Sequence, residues 1–117
     1  MEVDIQYPDV LSTAYVTIGH PRHTVYVPVP VCVEKVLPEM NNGRWAAVSW
    51  KRLKQLKLNA PIPAEWTQFE QNFMTTYKKA QEEARELLKK GERDAAVKLL
   101  NDTANAIWKE AAALLNL

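Results

Sequence analysis

The side chains in this chain with reactive chemistry are concentrated in one short stretch. Residues 12–33, STAYVTIGHPRHTVYVPVPVCV, hold the only cysteine, both histidines and three of the seven prolines. A cysteine nucleophile needs a depressed pKa, supplied by a helix N-terminus, a histidine or a basic neighbour. Cys32 instead sits between Val31 and Val33 in an alternating run, where a small half-buried thiol is the expected role. His20 and His23 lie three apart with Arg22 between them. A metal would need further ligands, and no nearby Asp, Glu or Cys pattern supplies them at a recognisable spacing. The histidines are therefore expected to be loop residues. No Gly-rich phosphate loop, Ser-His-Asp order or paired-carboxylate motif is present. No catalytic, cofactor-binding or metal-binding residue is assigned from the sequence, and no cofactor is expected.

Two further clusters have binding chemistry. Lys51, Arg52, Lys54 and Lys57 stand beside Trp45 and Trp50, a combination that can meet phosphate or nucleic acid but more commonly forms a solvated helix face. Trp66, Phe69, Phe73 and Tyr77 follow helical spacing and read as core or interface.

These groups are positioned by two halves of different period. In the first half, Ala14, Val16 and Ile18 alternate with Thr13, Tyr15 and Thr17. Val25, Val27, Val29, Val31 and Val33 alternate with Thr24, Tyr26, Pro28, Pro30 and Cys32. Period two predicts strands, with GHPR as the hairpin loop. Pro28 and Pro30 remove two successive N–H donors from one edge, so this strand should lie at an edge or leave the sheet there. Two strands alone are marginal in water, so the valine face needs a cover.

The second half, after MNNGR at 40–44, is helical. Trp45, Ala46, Trp50, Leu53 and Leu56 predict one stripe. NAPIPAE at 59–65 stops that helix and starts the next, with Pro63 in its first turn. Trp66, Phe69, Phe73, Thr76, Tyr77, Ala80, Ala84, Leu87 and Leu88 predict a second stripe, and Gly91 its C-cap. Ala96, Leu100, Thr103, Ile107, Ala111 and Leu114 predict a third, widened by Val97, Ala104, Trp108 and Leu115.

The bulk composition excludes several classes. The chain has 117 residues, 47% of them apolar and 25% charged, with 15 basic and 14 acidic residues and a net charge of +1. That charge gives no global pull toward nucleic acid or membrane. One cysteine allows no internal disulfide. The N-terminus, MEVDIQYPDV, has no signal-peptide pattern, and no apolar run approaches the ~20 residues of a membrane helix. The compartment stays open.

With these elements in place, AYVTIGHPRHTVYVPVPV at 14–31 resembles a segment of the N-terminal nucleophile (Ntn) amide hydrolases. It is most similar to the linear-amide branch of dipeptidases, acyltransferases and acid-ceramidase-like members. Gly19, Pro21, Thr24, Val25, Tyr26, Val27 and Pro28 match that family's G-x-P and S/T-V-Y-V-P pattern. GRWAAVSWKRL and FEQNFMTTYKKAQEEARELL then follow in family order. The resemblance implies a self-cleaved parent whose N-terminal cysteine attacks an amide while its α-amine acts as base. This chain starts at Met1, and no catalytic residue of the family maps onto it. The resemblance thus implies a C-terminal portion or reduced relative that is not active alone.

The expected architecture is α+β in a single domain, β-rich over 1–43 and helical over 44–117. An N-terminal β-hairpin (about 12–33) packs against three helices (about 44–58, 63–90 and 92–116), the last two forming an antiparallel hairpin. The expected function is a non-catalytic portion of an Ntn-type amide hydrolase or acyltransferase that completes its fold with a catalytic portion or with itself. The alternatives are a free-standing helical-hairpin interaction module and, ranked last, a small enzyme using Cys32 with His20 or His23. The expected partner is a protein or a second copy, with no nucleic acid and no membrane span. Val25, Val27, Val29, Trp66, Phe69, Phe73 and Trp108 are expected to form the partner surface.

Overall fold

A computed structural model of the chain describes residues 1–56 and 61–117, excluding the side chains of Arg22 and Leu56. The fold is α+β. An antiparallel two-stranded hairpin, β1 (Thr13–Val16) and β2 (Val27–Pro30), is followed by a short helix α1 (Pro38–Asn41) and by α2 (Arg44–Leu56), α3 (Ala64–Lys89) and α4 (Arg93–Leu114). Helices α3 and α4 pack against each other, and α4 also packs on β2. The molecule is elongated, 51 × 26 × 22 Å, because the two long helices set its length.

Helix α3 ends where the sequence asks it to. Gly91 adopts a φ of 78°, its N–H donates to the Leu88 carbonyl, and the Glu92 N–H donates to Leu87. This pair of bonds satisfies the last carbonyls and reverses the chain into α4. At the start of α3, Pro63 stands just outside the helix as its N-cap residue.

The hairpin is shorter than expected. Its strands are four residues each, and the connection contains a 3₁₀ turn at Pro21–His23 in place of a tight GHPR loop. The valine face is also cut short. Val25 and Val27 are fully buried and Val29 is half-buried, but Val31 is 40% exposed. The reason lies at Pro30, whose carbonyl accepts from the Val33 N–H. That turn takes the chain out of the sheet after the Val31 N–H, so the side chains of Val31 and Val33 no longer follow the strand's alternation.

The α2 stripe needs correcting as well. Trp45 and Ser49 are buried, Val48, Arg52 and Leu53 are half-buried, and Trp50 is exposed. A step of five residues turns about 140° around a helix, so Trp45 and Trp50 cannot share a face. Leu56 is placed on α2 by its backbone only, and residues 57 and 58 of the expected helix lie outside the described residues. In α3, Thr76 is exposed, while Trp66, Phe69, Phe73, Tyr77, Ala80 and Ala84 form the buried face. In α4, Ala96, Leu100, Ala104, Ile107, Trp108 and Ala111 are buried. Burying a large apolar side chain is worth about 1.5–3 kcal/mol, so these stripes are the main reason the helices stay together.

Candidate functional site

The residues expected to meet a partner lie inside the single chain. Val25, Val27, Trp66, Phe69, Phe73 and Trp108 are buried, and Val29 is half-buried. Phe73 packs on Phe69 at 5.4 Å between ring centroids and on Tyr15 at 6.5 Å. Val25 and Val27 join the buried cluster of the helices, whereas Val29 is half-buried and Val31 exposed. The face of the hairpin that meets α3 is the other one, through Thr13 on Tyr77 and Tyr15 on Phe73.

The proline edge is sealed by the same packing. In the hairpin register Tyr15 faces Pro28 and Thr13 faces Pro30. Val31 turns its N–H inward to the Ser12 carbonyl at 3.0 Å. Residues in antiparallel strands point both backbone groups to the same side, so Pro28 and Pro30 turn outward. Neither has an N–H. The Pro28 carbonyl accepts from the Trp108 indole Nε1 at 2.8 Å, and the Pro30 carbonyl accepts from Val33 at 3.0 Å. The outer edge of β2 therefore offers nothing for another strand to pair with.

The opposite edge is built from polar groups. Glu2 exchanges two backbone hydrogen bonds with Thr13, at 2.8 and 2.9 Å. From there the N-terminal segment runs along α3 and α4. Glu2 pairs with Lys78, Asp4 and Gln6 with Arg85, and Asp9 with Arg93. Arg85 holds the Asp4 carboxyl below its ordinary pKa. Beneath this strap, Gln81 Nε2 donates to the Leu11 carbonyl and to Thr13 Oγ1, both at 3.1 Å. Thr13 Oγ1 also shares a hydrogen bond of 3.1 Å with the Tyr77 hydroxyl. Burial pushes the Tyr77 phenol well above its usual pKa, so it stays neutral and serves as a structural hydroxyl. Met1, Val3 and Ile5 point the other way and are exposed.

The reactive residues separate onto two helices. Cys32 lies against α4, where Asn101 Nδ2 donates to its carbonyl at 3.1 Å and approaches its sulfur at 4.0 Å. A polar cleft of about 680 Å³ opens beside it, with Asp9, Glu34, Arg93 and Lys98 in its lining. Burial raises the thiol's pKa, which keeps it protonated and weakens it as a nucleophile. The histidines lie against α2. The His20 ring lies tilted against His23 at 5.7 Å and edge-on to Trp50 at 5.8 Å. The His20 N–H donates to Ser49 Oγ at 2.7 Å. Among the described residues no group of three or more His, Cys, Asp or Glu side chains is gathered to hold a metal ion. No described helix is long and apolar enough to cross a membrane.

Two surfaces remain with the chemistry of recognition. The outer face of α2 exposes Arg44, Ala47, Trp50, Lys51 and Lys54, with Trp50 51% exposed. Arg52 on the inner side covers the Trp66 ring at 4.7 Å. The second surface is a groove between α3 and α4, formed by adjoining cavities of about 480 and 500 Å³ that share Asn72 and Glu110. Phe69, Phe73 and Ile107 floor it. Glu65, Asp102 and Glu110 rim it, and no Lys or Arg enters its lining.

Sequence reasoning had located the basic face of α2 but placed Trp50 in its apolar stripe. It missed the groove and the N-terminal strap. The alternation of Glu2, Asp4 and Gln6 with Val3 and Ile5 was the available signal for the strap. No protein-family model, curated protein or solved structure matches the chain. Its class is defined by its own architecture, an α+β hairpin-and-helix fold with a closed core.

Proposed function

We propose that this chain is a self-contained protein-interaction module that acts through the basic face of α2 and the acidic α3–α4 groove. One observation carries this reading. Val25 and Val27 are buried in one cluster with the helix residues, and the proline edge is capped by residues of the same chain. The buried core of the described residues is then assembled within one polypeptide, and the two charged, unfilled surfaces are left for recognition. The test is the isolated chain in solution. A native-like spectrum with one cooperative thermal transition is expected. A chain that stays molten until a second, different polypeptide is added would defeat the proposal.

A second reading keeps the resemblance to the Ntn amide hydrolases, with this chain as a non-catalytic portion of such an enzyme or acyltransferase. The observation that favours it is the outer edge of β1. That edge carries one bridge, at Glu2, and the exposed apolar side chains of Met1, Val3 and Ile5 beside it. A larger sheet would add there and not at the sealed edge of β2. The check is co-expression with a Cys-led β-rich polypeptide encoded upstream. Co-purification with amide-hydrolase activity supports this reading, and absence of such a coding region removes it.

A further inference from the structure

The charge in this molecule is segregated in a way its net value conceals. Four of the 15 basic residues and none of the 14 acidic ones lie in α2, which leaves eleven against fourteen elsewhere. The helix exposes Arg44, Lys51 and Lys54 around Trp50. An exposed tryptophan framed by cations is the composition of an interface anchor.

The groove between α3 and α4 is its chemical complement. Its rim carries Glu65 and Glu110, which make no ion pair among the described residues. Asp102, further along, is already held by Lys98 at 2.7 Å. The floor under Glu65 and Glu110 is Phe69 with Leu114, an apolar seat for an aromatic ring. The groove runs from Ala64 to Thr76 along α3. Twelve residues of helix rise about 18 Å, and the thirteen residues of α2 rise about 20 Å. The two surfaces match in sign, in polarity and in length.

We infer that the occupant of the groove is the α2 face of a second copy of this chain, docked reciprocally to form a twofold dimer. The inference rests on the interaction-module reading and names its partner. Trp50 of each copy enters the groove of the other between Glu65 and Glu110, and Lys51 and Lys54 approach those carboxylates. Reciprocity follows from size. One helix face of about 20 by 10 Å falls well short of the roughly 800 Å² per partner of a standard interface. A twofold axis makes the contact twice, about 400 Å² per partner, the scale of a weak, reversible dimer. It also closes the assembly, where a head-to-tail contact would build a ring or an open filament. A net charge near zero permits close approach, since no large overall repulsion opposes it.

The experiment is sedimentation velocity on the full chain, with charge reversals on each surface. The wild-type chain should sediment as a dimer at tens of micromolar, and the dimer should weaken as salt screens the exposed pairs. K51E/K54E and E65K/E110K should each be monomeric. Mixed one to one, they should dimerise again, because each then presents a face of the opposite sign to its partner. W50A should raise the dissociation constant at least about tenfold, the scale of a modest hot spot. All five substituted residues are exposed, so at concentrations too low for the wild type to dimerise each variant should melt close to it. E65K should melt slightly lower, because Glu65 lies in the first turn of α3. A cooperative melt there excludes misfolding as the cause. A wild-type chain that is monomeric throughout overturns the inference, as does a dimer that survives both reversals or a mixture that fails to reassociate. A folded monomer that binds a basic amphipathic peptide in the groove also overturns the second copy while leaving the module reading standing. An unfolded isolated chain overturns the module reading itself.

Discussion

The two edges of the small sheet are finished by opposite means. At β2 the chain removes the problem. Two prolines delete the outward N–H groups, and the two outward carbonyls are taken by Trp108 and Val33. At β1 the chain adds polar partners. Glu2 bridges Thr13, and Gln81, Tyr77, Lys78 and Arg85 reach over from α3 to the N-terminal segment. The first solution is dry, and its stability should depend on packing. The second is partly solvated, and its stability should depend on hydrogen bonds and charge. An edge closed by deletion cannot be reopened by pH or salt, whereas one closed by ion pairs can.

The largest effect should come from the dry edge. Trp108→Ala removes a buried indole and leaves a cavity beside β2, which costs about 3–5 kcal/mol. Trp108→Phe keeps most of the apolar volume but strands the Pro28 carbonyl, at about 1–3 kcal/mol. Chemical denaturation of both variants measures the two contributions. If the phenylalanine variant matches the wild type, the indole N–H does not seal that edge.

The same contrast explains what was readable in the sequence. Prolines at 28 and 30 act locally, by removing donors from their own backbone, so the edge at β2 was legible before any fold was known. The helices were legible for the same reason, since their periodicity is short-range and Gly91 marks the turn between them. The strap at β1 pairs residues 64 to 84 positions apart, and no local rule connects Asp4 to Arg85 or Thr13 to Tyr77. The groove likewise depends on two helices meeting, which places Glu65 opposite Glu110 only after α3 and α4 have packed. The misplacement of Trp50 has a different origin. A five-residue step does not return to one face of a helix, and the buried position four residues after Trp45 is Ser49, the residue that Gly19 approaches.

That approach links the two strands to α2, and it should give the next largest effect. Gly19 has a φ of 97°, and a Cβ there would stand 2.5 Å from Ser49 Cβ and Oγ. Gly91 has a φ of 78° with nothing within 4 Å of such a Cβ. Gly91→Ala should therefore cost only the backbone strain, about 1–2 kcal/mol. Gly19→Ala should cost that strain plus about 1–3 kcal/mol of overpacking. Equal melting shifts for the two variants would mean that the 19–20 loop yields freely and does not fix α2 against the hairpin.

On the polar edge, Gln81→Leu should cost about 1–3 kcal/mol. It removes a donor from the Leu11 carbonyl and from Thr13 Oγ1, both buried. Tyr77→Phe should cost less, because Thr13 Oγ1 would still be a partner for Gln81. A double-mutant cycle over Tyr77 and Gln81 should show coupling through Thr13, and strict additivity would separate them into independent contacts.

The smallest effect is the one that most directly separates the edges, because only the polar edge should respond to acid. Arg85 donates to Asp4 and lowers its carboxyl pKa in the folded chain, while the unfolded chain titrates at the ordinary value of about 3.9. A group with a depressed native pKa binds protons more readily when unfolded. Its contribution is essentially complete above about pH 5 and is lost as the pH falls through the lower native value. Since Arg85 is one-third exposed, the contribution should be a few tenths to about 1 kcal/mol. Asp4→Asn should therefore lower stability near neutrality by that amount and flatten the acid limb of the stability curve. Trp108→Phe should shift the whole curve downward without changing its acid slope. An Asp4→Asn curve that stays parallel to the wild type through the acid limb would show that the strap is not held by charge, and the proposed difference between the two edges would reduce to packing alone.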